Sequence, residues 1–443
     1  MAGESWSKTT LGAIADAPYG LVDGPFGSNL PGSAYTQSGV PVVRGSNLSL
    51  GELRFKGHEF VYVSDEMANR LARSICRPGD IVFTKKGTIG QTGLIPNGGR
   101  FERYLLSSNQ MKLSVDPKIA DPAFVYYVVS SPKSREKIVR DASITGVPKT
   151  NVAYLRNFPI DLPSLNEQRA IAHILGTLDD KIELNRRMNE TLEAMAQAIF
   201  KSWFVDFEPV RAKAKGRDPG LPKHIADLFP DHFEDSELGE IPAGWEVGTL
   251  ADLTSLNPEA WSKETRPAII HYVDLSNSKW GHIESVTAYA QQDAPSRAQR
   301  VLRPRDTIVG TVRPGNGSYA YISEEGLTGS TGFAILRPLR AEFGEFVYLA
   351  ATAAENIEAL SHLADGGAYP AVRPEVVAAT QVIKAGDDVI TGYSRLAGPL
   401  FAKGAENERE YRTLAALRDT LLPKLLSGEL RVQGRVQQQV ANP

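Results

Sequence analysis

The sequence predicts an α+β chain with two β-rich globular domains in tandem pseudo-two-fold repeat. A pair of long antiparallel coiled-coil helices separates them. Three observations lead there. First, the chain repeats itself: Trp6–Leu11 reads like Trp245–Leu250, a shift of 245 − 6 = 239. Arg77–Val82 reads like Arg303–Ile308 at a shift of 226, and Phe124–Tyr126 like Phe346–Tyr348 at 222. The last shift then holds without a gap, pairing Pro148 with Pro370, Lys181 with Lys403, Asn185 with Asn407, Arg187 with Arg409 and Thr191-Leu192 with Thr413-Leu414. Matches in one order, with a shift that only shrinks, indicate a tandem duplication. Second, each copy opens with short β-rich runs punctuated by Gly, Pro, Asn and Ser. Third, each copy closes on a long amphipathic helix.

Taken in order, residues 1–165 form the first globular domain. Its strands are expected at Val40–Val43, Ile81–Thr84 and Met111–Val115, with a helical segment near Ala123–Arg140. The fall in shift from 239 to 226 gives this copy 13 extra residues between Leu11 and Arg77. Residues 166–205 form the first long helix. Asn166 is placed to cap it, and apolar residues recur at three- and four-residue steps: Ile171, Ile174, Leu178, Ile182, Met188, Leu192, Met195 and Ile199. A helix from Asn166 to Trp203 measures about 57 Å at ~1.5 Å per residue. One apolar stripe of that length needs a partner. The second copy supplies Tyr393, Leu396, Leu400, Leu414, Leu417 and Leu421. Asn185 and Asn407 fall in this seam, where a buried asparagine can set register.

Residues 206–244 read as a linker passing from ordered to loose, with basic spacing, a Pro/Gly turn and an acidic stretch. Residues 245–386 form the second globular domain, with strands at Ile269–Val273, Thr307–Thr311 and Phe333–Leu336 and a helical segment at Gly344–Leu363. Residues 387–430 form the second long helix. Pro399 is expected to break or kink it, so that its regular part starts near that residue, and Pro423 to kink its end. Residues 431–443 read as a flexible tail.

Composition bounds the chemistry. The chain has 443 residues, 42% hydrophobic and 23% charged, as in a folded globular protein rather than a disordered one. One cysteine, Cys76, excludes an intrachain disulfide and argues against a structural cysteine-zinc site. No run of about 18 apolar residues exists to span a membrane, and the first ten residues lack the apolar core of a signal peptide, so a cytoplasmic location is expected. The formal net charge is −3. It conceals an asymmetry: residues 1–165 carry 19 Lys/Arg and 14 Asp/Glu (19 − 14 = +5), and residues 245–386 carry 12 and 16 (12 − 16 = −4).

No phosphate-binding loop, nucleophile elbow, zinc-binding histidine pair or nuclease cluster occurs. No catalytic residue and no metal ligand is therefore assigned. Loop cations, amides and hydroxyls suit phosphate and base-edge contacts. On that ground Arg44, Asn47, Lys85, Lys86, Thr88, Lys149 and Asn151 are the candidate DNA-binding residues of the first domain. Arg303, Arg305, Arg313, Asn316 and Arg373 are those of the second. A two-domain coiled-coil scaffold for a ligand other than nucleic acid is the alternative.

The sequence then resembles a known family. Leu165-Asn166-Glu167-Gln168-Arg169-Ala170-Ile171-Ala172 resembles the start of the conserved helix in specificity subunits of Type I restriction-modification systems. Leu178–Asn185, Gln197–Val210, Glu237–Trp245 and Leu422–Leu430 are similar to further family segments, so the resemblance covers nearly the whole chain. The second helix departs from it, with Gly386-Asp387-Asp388-Val389 where the first has its Asn-Glu-Gln start. The resemblance implies two target recognition domains, each reading half of a bipartite double-stranded DNA site, and a helix pair acting as a ruler. It implies two methyltransferase subunits docked on the helices, and restriction subunits beside them. This chain would be non-catalytic and bind no cofactor; S-adenosylmethionine, ATP and Mg would sit on the partners.

Overall fold

The computed structural model describes residues 6–142, 147–262, 264–367 and 369–432. The expected tail lies outside them beyond Val432. The chain divides into two compact units that interleave in sequence. The first comprises Met1–Arg186 with Glu410–Pro443, and the second Arg187–Arg409. Each boundary cuts a 40-residue helix, Leu165–Phe204 or Asp387–Leu426. Each unit thus holds one globular domain and half of each long helix.

In the first unit Ser7–Thr10 pairs antiparallel with Pro159–Leu162, joining the start of the domain to its end. A four-stranded sheet follows the spatial order Leu21–Asp23, Gln110–Leu113, Ile81–Thr84, Thr92–Leu94. Its inner strands read as unbroken apolar or small runs because both faces are covered: Ile81, Val82, Phe83 and Thr84 are all buried. A five-stranded sheet holds a parallel pair, Val40–Val43 with Tyr104–Leu106. The expected single helix near 123–140 is two, Pro122–Ser130 and Pro132–Asp141. Ser131 separates them: its Oγ accepts the Ser134 N–H at 3.3 Å, and Pro132 fits the first helical position.

The second unit repeats the plan. Glu246–Thr249 pairs with Gln381–Lys384. A four-stranded sheet runs Thr254–Leu256, Phe333–Pro338, Thr307–Gly310, Tyr319–Tyr321, and a second contains the parallel pair Ile269–Val273 with Leu327–Ser330. The repeated Arg-Pro-x-Asp motif is a structural turn. Asp80 Oδ2 accepts the Arg77 N–H at 2.9 Å, and Asp306 Oδ2 accepts the Arg303 N–H at 2.8 Å. Each buried carboxylate also meets a cation from the neighbouring strand region, Lys112 at 3.0 Å or Arg337 at 2.8 Å.

The long helices run antiparallel within each unit, since partner numbers fall as residue numbers rise. In the first unit Glu167 pairs with Arg431, Asp179 with Arg418 and Asn185 with Glu410. In the second, Asn189 meets Gly404 and Asn407, and Tyr393 donates to the Ala196 carbonyl at 3.1 Å. Asn185 and Asn407 are both buried in the seam. Ser164, not Asn166, caps the first helix, its Oγ accepting the Glu167 N–H at 3.3 Å. The second helix continues through Pro399 and Pro423. Both prolines point outward, so each removes a backbone donor on the solvent side while Ala397 and Leu425 stay buried.

The seam differs in part from the apolar steps. Ile171 and Ile182 are buried, and Ile174, Leu178, Leu192, Ile199, Leu400, Leu414 and Leu421 are half-buried. Met195, Leu396 and Leu417 are exposed, at 49%, 38% and 45%. The buried neighbours are Ala196, Ala397 and Arg418. A step of seven explains this: Gln168, Leu175, Ile182, Asn189, Ala196 and Trp203 lie on one line, and their partners at shift 222 are Ile390, Ala397, Gly404, Tyr411, Arg418 and Leu425. Small and polar residues occupy much of that line, so large apolar residues one position earlier face out. A carboxylate at half-buried Leu192 would be poorly solvated. Leu192→Asp is expected to cost roughly 1–3 kcal/mol, read as a lowered thermal midpoint; an unchanged midpoint would remove Leu192 from the seam.

Residues 206–244 are packed rather than loose. Helices Glu208–Ala214 and Lys223–Ala226 and the hairpin Phe233–Ser236/Gly239–Pro242 bury Val210, Ile225, Phe229 and Ile241 in the second unit's core. Trp203 meets Phe229 edge-to-face at 4.9 Å, and Phe204 meets Phe346 at 4.8 Å.

One seam position has two chemical forms. In the first unit Asp179 Oδ1 lies 3.0 Å from Arg418, and Tyr127 donates to its Oδ2 at 2.7 Å. Arg418 also donates to the Glu52 carbonyl at 3.2 Å. Burial alone would lower the Arg418 pKa, but the Asp179 carboxylate raises it above the ordinary value. Burial, then Asp179, pushes the Tyr127 hydroxyl far up, keeping it a donor. In the second unit the residues at shift 222 are Phe401 and Ala196. Phe401 packs on Tyr321 at 4.9 Å and Tyr348 at 5.6 Å.

Candidate nucleic-acid interface

In each unit two loops meet beside the inner strand of the four-stranded sheet. In the first, the turn after Ile81–Thr84 carries Lys85, Lys86 and Thr88, and the loop before helix Val152–Arg156 carries Lys149 and Asn151. An isolated β-bridge joins Lys86 to Lys149. The Thr150 N–H donates to the Lys85 carbonyl at 2.9 Å, and the Gly87 N–H to the Pro148 carbonyl at 3.3 Å. Lys86, Thr88 and Lys149 are exposed. Lys85 pairs with Asp23 at 2.9 Å. Asn151 is exposed but acts as a helix cap, accepting the Tyr154 N–H at 2.8 Å.

The Arg44 turn reaches the same edge, because a Cβ at Gly45 would lie 3.5 Å from Gln91 Oε1 and 3.8 Å from Gln110 Nε2. Arg44 donates to the Glu59 carbonyl at 3.1 Å. Asn47 must be removed from the candidates. It is fully buried, and its side chain accepts from the Arg44 N–H and donates to the Lys56 and His58 carbonyls. It holds the turn and presents nothing to a ligand.

The second unit builds the same junction. Val312 bridges to Ala371, the Arg313 N–H donates to the Pro370 carbonyl at 2.8 Å, and the Val372 N–H to the Thr311 carbonyl at 2.9 Å. Arg313, Asn316 and Arg373 are exposed there. Arg303 and Arg305 lie apart, at the opposite end of strand Thr307–Gly310. Arg303 pairs with Glu259 at 2.9 Å. Arg305 donates to the Ala341 carbonyl at 2.6 Å and has φ +76, where the first copy places Gly79. Their side chains brace the turn rather than the junction.

Lys86 and Lys149, and Arg313 and Arg373, are thus brought together by backbone pairing between loops more than 55 residues apart in sequence (149 − 86 = 63; 373 − 313 = 60). Gln91 and Gln110 were not singled out in the sequence; nothing marks them before the sheet order is known. Among the described residues no group of three His, Cys, Asp or Glu could hold a metal ion, and no helix is long and apolar enough to cross a membrane.

Residues 35–194 match the family model described as the Type I restriction modification DNA specificity domain. The chain is 26% identical over 404 residues to the Type I restriction enzyme HindI specificity subunit of Haemophilus influenzae, covering 78% of this chain and 87% of that protein. Residues 35–194 thus carry a Type I restriction modification DNA specificity domain, and most of the chain is similar to a Type I specificity subunit. A second relative, the MjaIX specificity subunit of Methanocaldococcus jannaschii, is 24% identical over 393 residues, 85% of either chain. The crystal structure of the Type I restriction-modification S subunit from M. genitalium shares the fold, with a TM-score of 0.58 at 16% identity over 96% of this chain and 97% of that one. The matched segment takes in one loop junction and the first long helix as far as residue 194. The second junction is its internal copy.

Proposed function

We propose that this chain is the sequence-specific DNA-binding subunit of a Type I restriction-modification complex in the cytoplasm. Each globular domain reads one half of a bipartite double-stranded target through its loop junction. Two methyltransferase subunits dock on the long helices, and restriction subunits complete the assembly. The partners carry S-adenosylmethionine, ATP and Mg, while this chain contributes recognition and no catalysis.

The duplicated junction supports the reading best. Two loops, locked by backbone hydrogen bonds, present Lys86 and Lys149 in one unit and Arg313 and Arg373 in the other. Rigid placement of loop cations suits phosphate contacts, and neighbouring amides and hydroxyls suit base edges. The reading is tested by expressing this chain with its methyltransferase partner in a host free of other methylation and sequencing the methylome. A methylated motif of two short halves around an unspecified spacer is expected, absent when this chain is omitted. Methylation that appears without this chain, or none with it, would overturn the assignment.

A further inference from the structure

In the second unit the turn Arg313–Gly317 is bracketed by two exposed aromatic rings. On one side Trp280, 57% exposed, lies with its indole face over Gly317: a Cβ there would meet three ring atoms at 2.6–2.7 Å. The Trp280 N–H donates to the Gly317 carbonyl at 2.7 Å, and Tyr319 meets the indole edge-on at 6.0 Å. On the other side Tyr369, 71% exposed, lies under the Arg313 guanidinium at 4.7 Å. Six non-glycine residues have left-handed φ among those described, and two of them, Trp280 and Arg313, both at φ +48, flank this turn. Such strain persists only where the surroundings enforce it, and it concentrates at functional sites.

A single exposed apolar side chain needs no explanation. Two rings beside one turn are different. The segments Lys279–His282 and Arg313–Gly317 contain cations and an amide but no carboxylate. Acidic groups stand around them: Glu193 Oε1 would lie 3.6 Å from a Cβ at Gly281, and Asp365 Oδ1 accepts the Gly366 N–H. Cations beside exposed aromatics suit a polyanion whose phosphates take the charge while sugars and base edges take the apolar contact.

The internal repeat gives a second, independent view. Shift 222 places Val147 at the position of Tyr369, and Val147 is 51% exposed. Each precedes a proline, Pro148 or Pro370, whose carbonyl accepts a backbone N–H from the facing turn. Both units therefore hold an exposed apolar side chain at the same fixed point of the junction.

We propose that Trp280 and Tyr369 are specificity-determining contacts of the second domain, their rings pressed on the bases and sugars of its half-site, and that Val147 makes the corresponding apolar contact in the first. The proposal rests on the functional reading above. It is tested with the assembled methyltransferase complex on duplexes altered in one half-site at a time. Tyr369→Ala and Trp280→Ala should each weaken cognate binding about 10- to 100-fold, the scale of one mismatched base pair in a duplex site, and relax discrimination in one half only. Val147→Ala should relax the other half. Cognate DNA should quench an emission component that is absent from Trp280→Phe, a variant that keeps a ring at the site. Wild-type affinity and discrimination in both alanine variants, beside a wild-type complex that methylates a bipartite site, would overturn the proposal and leave the functional reading intact. Loss of methyltransferase assembly with DNA contacts unchanged would assign the rings to a protein partner and overturn it too. A wild-type complex that methylates nothing would remove the functional reading and this proposal together.

Discussion

Asp179→Ala is expected to destabilise the first unit by about 3 kcal/mol, the low end for breaking a buried ion pair, because Asp419 still meets the Arg418 guanidinium at 2.9 Å. Arg418, buried in the native protein, would keep the Glu52 carbonyl and Asp419, while Arg54 would lose its contact with Asp179 and the Tyr127 hydroxyl its acceptor. Denaturant unfolding of the purified protein measures this directly. The second unit supplies the control, because the same positions there are Phe401 and Ala196. The double variant Asp179→Phe/Arg418→Ala should recover most of the loss, since a packed apolar pair can replace a buried ionic one at little cost. A single variant within about 0.5 kcal/mol of wild type, the usual range for surface changes, would mean that the pair is not structural. A double variant no better than the single would mean that the aromatic solution depends on Tyr321, which the first unit lacks.

Exchanging the first domain for that of a relative with a different target is the second large effect. The graft would replace Ser7–Leu162, whose ends are paired in one two-stranded ribbon. One half of the methylated motif should change completely and the other should stay as it was, read by methylome sequencing. Simultaneous change in both halves would contradict independent reading by two domains. The paired ends make the graft practical, since the foreign segment enters and leaves at adjacent backbone positions.

Much of the architecture was legible before the structure. The 222-residue shift carries through to the seam, where Asn185 and Asn407 are both buried, and the strands at Val40–Val43, Ile81–Thr84 and Ile269–Val273 fall where apolar runs placed them. What the sequence concealed has physical causes. Ala196, Ala397 and Arg418 carry no apolar bulk, so a search for large residues selected Met195, Leu396 and Leu417 one position away. Leu221, Ile225, Leu228 and Phe229 do recur at helical steps, but the Pro/Gly turn and the acidic stretch on either side hid so short a period, and their cover includes Trp203. At the interface, residue type alone could not separate Lys149, which is exposed, from Asn47, whose amide is consumed by its own turn. That separation needs the three-dimensional course of the loops.

The interleaving of the two units has a consequence for synthesis on the ribosome. The core of the first unit includes Leu425, and its ion pair needs Arg418, yet the N-terminal part of that unit ends at Arg186. Translation must cover 410 − 186 = 224 further residues before the missing helix half emerges, roughly 10–45 s at ~5–20 residues per second. Throughout that interval the inner face of the first helix half, with Ile171 and Leu175, lacks its final cover. The second unit, Arg187–Arg409, is by contrast continuous in sequence and can close as it is made. A chain truncated before Glu410 would keep a finished second unit beside an unfinished first one. Completion of the N-terminal reader thus waits on the synthesis of a segment that follows the whole of the second unit.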